Sequence, residues 1–92
     1  MTAFDWDEGN IKHIARHSVL PHEVEQAVLD PHAILLEIQM IAAEERTRVL
    51  GMTTKGRILI SVFTVRDETI RPITSRDAKP DLQEAYLARR AT

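Results

Sequence analysis

The side chains with most chemistry to offer are arginines that fall where strands would end: Arg46, Arg57, Arg66, Arg71 and Arg76. A guanidinium stays charged at any ordinary pH and forks onto carboxylate or phosphate oxygens through paired N–H groups. Beside them, histidine is the residue type that exchanges protons most readily around neutral pH, which makes His17 an acid–base candidate, and Glu45 is a candidate proton acceptor, with Glu44 an equal candidate for that carboxylate. Acid–base chemistry on an anionic ligand is therefore within reach of these residue types. The competing reading is that exposed arginines beside acids form ordinary surface ion pairs of little energetic worth. His13 and His17 stand at i and i+4 with His22 nearby, a spacing that raises zinc. No third and fourth ligand is evident and no glutamate follows His13, so these read as surface histidines and no metal is expected. The chain has no cysteine, which removes disulfides and thiolate metal sites.

The element that must position these groups is the run Arg57 to Arg66, β-branched and aromatic between two arginines. Ile58, Ile60, Val62 and Thr64 would line one face of a strand and Leu59, Ser61, Phe63 and Val65 the other; neither face is fully polar, as in a central strand. Arg46 to Met52 precedes it through Thr53-Thr54-Lys55-Gly56, and Ile70 to Ser75 follows through Asp67-Glu68-Thr69. Both links are of hairpin length, and Gly56 suits a turn that needs positive φ. An antiparallel meander results. With turns near Lys55 and Glu68, Arg66 lies across from Ile70 and near Glu44 to Arg46. Arg76 then sits on the order of 20 Å from Arg66 at roughly 3.3 Å per residue. One phosphate cannot easily be clamped by both, unless a bend at Pro72 brings them together.

Around the meander, Phe4-Asp5-Trp6 reads as a short strand with both rings on one face, and Asp7 as the cap of a helix running from Glu8 to about Arg16. Pro21 opens a second helix to Leu29, with Leu20 in a poor cap position, and Asp30-Pro31 ends it. Ala33 to Met40 is ambiguous in period; its β-branched residues and its proximity to the meander favour a strand. Pro72 cannot donate to a ladder, which puts the last strand at an edge or turns that nitrogen away from its neighbour. Lys79-Pro80-Asp81 starts a closing helix on which Tyr86 reads as core. The expected order is β-α-α-β-β-β-β-α, an α+β fold with helices on a small antiparallel sheet, as one domain over residues 1–92.

The formal net charge of −2 conceals a division. Residues 1–45 carry nine acids and two bases, and residues 46–92 five acids and ten bases, giving −7 and +5. Such polarity suits an anionic ligand on the sheet or a charged protein partner, and equally suits halves that neutralise each other. With 43% hydrophobic residues the chain can bury a modest core, while no apolar run approaches the roughly 20 residues of a membrane span. A cytoplasmic protein is expected. Direct DNA binding is not, because no helix is a basic recognition helix.

In order along the chain, Phe4-Asp-Trp-Asp7, Arg16-His17-Ser18-Val19, Glu23-Val24, Asp30-Pro31, Glu44-Glu45-Arg46, Leu50-Gly51, Gly56-Arg57, Thr64-Val-Arg66 and Arg71-Pro-Ile-Thr-Ser-Arg-Asp-Ala78 resemble the BrnT toxin family over nearly its whole length. The resemblance implies a RelE-like fold and a metal-independent endoribonuclease toxin without cofactor. It also implies a cognate antitoxin of the BrnA type, which masks the toxin and alone carries the operator DNA binding. On that reading His17, Glu45, Arg66 and Arg76 are the catalytic candidates, and Arg16, Arg46 and Arg71 hold RNA phosphates. The chain departs from the family where Lys-His-Gly is usual and Arg16-His17-Ser18 stands. Arginine does not readily exchange a proton, so any acid–base role of that lysine would be lost. The alternative is a degenerate toxin that only docks a protein partner.

Overall fold

The computed structural model describes residues 2–92, and its elements follow in the order β1 (Ala3–Phe4), α1 (Glu8–Ala15), α2 (Pro21–Val28), β2 (Ile34–Ile41), β3 (Glu44–Met52), β4 (Ile58–Arg66), β5 (Thr69–Asp77) and α3 (Pro80–Arg90). The five strands form one sheet in the order β1-β5-β4-β3-β2. Strand β1 runs parallel to β5, and every other pair is antiparallel. The run around Phe63 is thus the central strand, as its two apolar faces demand, and Ala33 to Met40 resolves to an edge strand. Two expectations need correction. The first strand stops at Phe4, leaving Trp6 to pack against the core beneath the first two helices. Arg66 lies opposite Thr69 and not Ile70, because the β4–β5 turn is the two residues Asp67-Glu68.

Each face of the sheet has its own apolar cluster. On one, Ile14 and Val19 from around α1 and Val24 and Ala27 of α2 close over Leu59. On the other, Tyr86 of α3 and Ala78 close over Leu50, Ile58 and Ile60. Gly51 allows α2 to approach: a Cβ there would overlap the Ala27 carbonyl. Helix α3 covers only the end of its face near Ile58. The rest of that face, and the edge strand β2 with Leu35, Ile38, Met40 and Ile41 exposed, is left open. Among the described residues no helix is long and apolar enough to cross a membrane.

Local chemistry sets the helix ends. The Asp7 carboxylate accepts from the Asn10 N–H at 2.9 Å, and the Asn10 side-chain oxygen accepts from the Asp7 N–H at 2.8 Å, a reciprocal cap. The same Asn10 amide donates to the Asp5 and Pro72 carbonyls, both at 3.0 Å, and so fastens α1 to β5. At the other end of α1 the Val19 N–H donates to the Ile14 carbonyl and the Ser18 N–H to that of Ala15, with Ser18 left-handed at φ 58°. That is a Schellman ending, in which glycine is the usual residue. Arg57 then binds the Ser18 and His17 carbonyls at 2.7 and 3.3 Å, and also pairs with Glu23 and Asp77. Strand β5 is interior at Thr69 and Ile70, where β1 covers it; Pro72 falls beyond that cover. There a bulge leaves Ile73 without a partner on β4, so the ladder accommodates the missing donor.

Candidate arginine-lined site on the open sheet face

Three strand ends meet the start of α1 around a hollow of about 290 Å³. Glu44 and Arg46 reach it from β3, Thr64 and Arg66 from β4, Arg71 and the bulge from β5, and Asn10 and His13 from α1. The reciprocal cap and the Asn10 bond to Pro72 fix His13 relative to the bulge, since both sit on the same short helix. Arg66 donates to Glu44 at 2.8 Å, while Arg46 stands 4.0 Å from the other Glu44 oxygen. The Arg66 hydrogen bond holds the Glu44 carboxyl below the usual glutamate range, so Glu44 is a fixed anion at neutral pH and a poor base. Arg71 is bound by Asp7 at 2.8 Å and by Asp5 at 3.4 Å. The Asn10 N–H, and after it Arg71, lowers the Asp7 pKa.

A second groove of about 340 Å³ adjoins the first on the face that α3 leaves open, and Arg46 lines both. Arg48 and Arg76 complete its cationic lining, over an apolar floor that includes Ile60, Val62 and Ile73. Arg48 stands 3.6 Å from Glu37. The Nε atoms of Arg46 and Arg48 are buried and have no hydrogen-bond partner. Arg76 lies opposite Ile60, six positions along β4 from Arg66, so the two arginines line different cavities on the order of 20 Å apart along the strand. The bulge near Pro72 does not bring them to one phosphate.

The remaining sequence candidates lie elsewhere. Arg16 and His17 are exposed at the end of α1 and line neither cavity; the His17 ring is 6.1 Å from that of His13, tilted by 54°. Glu45 alternates to the opposite side of β3 from Glu44 and is absent from the arginine hollow, but it lines a third hollow that Glu44, Thr64 and Arg66 also border, so Arg66 stands between the two. Four residues that matter here escaped the sequence reading in their present roles: His13, Glu44 as the partner of Arg66, Arg48 and Arg57. Arg48 was accessible to it, because a residue two from Arg46 on a strand shares its face. His13 was not, since only the long-range bond from Asn10 to Pro72 fixes which side of α1 meets β5. Among the described residues no three His, Asp or Glu side chains gather as metal ligands.

These features define a small α+β protein whose sheet concentrates guanidinium groups and a fixed carboxylate at the ends of three adjacent strands, with one imidazole added from α1. The family described as "Ribonuclease toxin, BrnT, of type II toxin-antitoxin system" matches residues 6–81. The chain therefore belongs to the BrnT family of type II toxins with ribonuclease activity, and membership implies an antitoxin partner. No curated protein matches the chain.

Proposed function

We propose that this protein is a RelE-like endoribonuclease that cuts RNA without a metal, and that a BrnA-type antitoxin silences it by covering the open sheet face. Operator DNA is then reached only through that antitoxin. Cleavage of this kind joins the 2′-oxygen to the adjacent phosphorus and breaks the bond to the 5′-oxygen. One group must take the 2′ proton, another must protonate the leaving oxygen, and cations must meet the charge that builds on phosphorus. The observation that carries the reading is the shared position of Arg46: it lies between the hollow of Arg66, Arg71 and His13 and the groove of Arg48 and Arg76. An extended RNA strand crossing the sheet would lay one phosphate at Arg46, with neighbouring phosphates toward Arg71 and Arg76. Arg66 would exchange its Glu44 partner for the scissile phosphate. His13 would be the nearer proton carrier and His17 the one behind it, with Arg16 meeting a flanking phosphate. Glu45 would act at the far rim.

A purified, monodisperse sample should therefore cut RNA in EDTA, and expression without a partner should arrest growth. Intact RNA from folded protein would remove the catalytic reading. Arg66→Lys, which keeps charge and loses the fork, should cost on the order of 10²-fold in rate. The second reading, a docking domain without catalysis, draws on Arg66 and Arg71 already having carboxylate partners and on the exposed apolar strand β2. It would be upheld by tight partner binding in a protein that leaves RNA whole.

A further inference from the structure

Resting on the ribonuclease reading, we propose that the groove beside the Arg66 hollow is a separate subsite for one unpaired nucleotide, and that Glu37 selects guanine there. The size is right for a single nucleotide and too small for a duplex, at about 340 Å³. Three cations face it, Arg46, Arg48 and Arg76. Guanidinium groups fork onto phosphate oxygens through their terminal N–H groups, which makes a phosphate the fitting anion for a groove so lined. Arg46 and Arg48 sit two residues apart on one strand, roughly 7 Å, so they can follow a backbone and need not share one oxygen. The Ile60, Val62 and Ile73 floor offers an apolar bed for a base or sugar, with no aromatic ring for stacking.

What faces the base edge then sets its identity. Glu37 and Gln39 project from alternate positions of β2 into the same groove. A carboxylate only accepts hydrogen bonds. Guanine alone among the four RNA bases presents two adjacent N–H donors, N1 and N2, on its Watson–Crick edge, matching the two oxygens of Glu37. Adenine and cytosine present one donor beside an acceptor, and uracil one donor between two acceptors. The contact with Arg48, at 3.6 Å, is too long for a hydrogen bond and leaves the Glu37 acceptor sites free.

The test separates this subsite from the cleavage chemistry. Short 2′-O-methyl oligonucleotides, whose blocked 2′-oxygen cannot attack, are titrated by fluorescence anisotropy with guanine, adenine, cytosine or uracil at each position in turn. One position should prefer guanine by about tenfold, within the range of a bidentate base contact. Glu37→Gln should flatten that preference, whereas Arg48→Gln should weaken all sequences alike and lower the salt dependence, with Arg48→Lys recovering part of the loss. No positional base preference, or a Glu37→Gln effect equal for all four bases, would overturn the assignment and leave Glu37 as a counter-ion of Arg48. Binding with these signatures in a protein that never cuts RNA would keep the subsite and sink the ribonuclease reading. Cleavage unaffected by either substitution, with binding unchanged, would do the reverse.

Discussion

Residue by residue, the divergence between His13 and His17 is the most informative point. A proton carrier has to reach the reacting oxygens, and His13 lines the arginine hollow while His17 stands one turn away. His13→Gln should lower the cleavage rate by about 10²- to 10⁴-fold, whereas His17→Gln should cost far less; single-turnover rates of the two variants decide it. The neighbouring departure from the family's usual Lys-His-Gly has a structural price of its own. Ser18 holds a left-handed conformation at φ 58°, where an L-residue is strained by roughly 1–2 kcal/mol and glycine is not, although glycine loses more entropy on folding. Ser18→Gly should thus stabilise by somewhat under 1 kcal/mol and raise the melting temperature by a few degrees. A fall in melting temperature would show the Ser18 side chain to be needed at that helix end.

At the level of elements, the two tight hairpins show what the amino-acid pattern conveys and what it leaves out. The meander, its central strand and the positive φ of Gly56 at 88° were all legible, because β-branched runs and glycine report local preference directly. The hairpin turns were legible only in place. Ala42-Ala43 and Asp67-Glu68 all have positive φ, the two-residue geometry that asparagine and glycine favour, so tertiary pairing overrides local preference at both. Replacing Ala42-Ala43 by Asn-Gly should stabilise the fold by about 1 kcal/mol, read as a shift in denaturant midpoint at constant slope. The candidate site divides in the same way. The arginines announced themselves by their strand-end positions, and alternation along β3 separates Glu44 from Glu45. The helix side stayed hidden, since the register of α1 against β5 depends on one buried amide, Asn10, reaching a carbonyl 62 residues away.

Across the whole molecule, the charge division of the sequence is spent largely inside the fold. Asp5, Asp7, Glu23, Glu37 and Glu44 of the acidic half pair with Arg71, Arg57, Arg48 and Arg66 of the basic half. Two of these carboxyls are held below their ordinary range, Glu44 by Arg66 and Asp7 by the Asn10 N–H and Arg71, as is Asp77 of the basic half by its hydrogen bond from Arg57. For Glu23, burial acts upward and is outweighed by the Leu20 N–H and Arg57. A depressed carboxyl stabilises the fold above its unfolded pKa, 3.8 for aspartate and 4.5 for glutamate here, and loses that contribution as pH falls through the folded value. The melting temperature should accordingly stay level from pH 7 to about 5 and drop below about 4, less steeply in Asp77→Asn; calorimetry across that range checks it. The same pairing has a consequence for the order in which the chain is made. Its first strand waits for Thr69 and Ile70, its first helix for Pro72, and its second for Gly51. A ribosome that has delivered the first half has therefore released an acidic segment without the sheet that its two helices cover, and none of the arginine cluster beyond Arg46. Folding must follow synthesis of β5, so the arginine-lined surface arises only once Asp77 has been added. A partner made alongside it would have until that late moment to be in place.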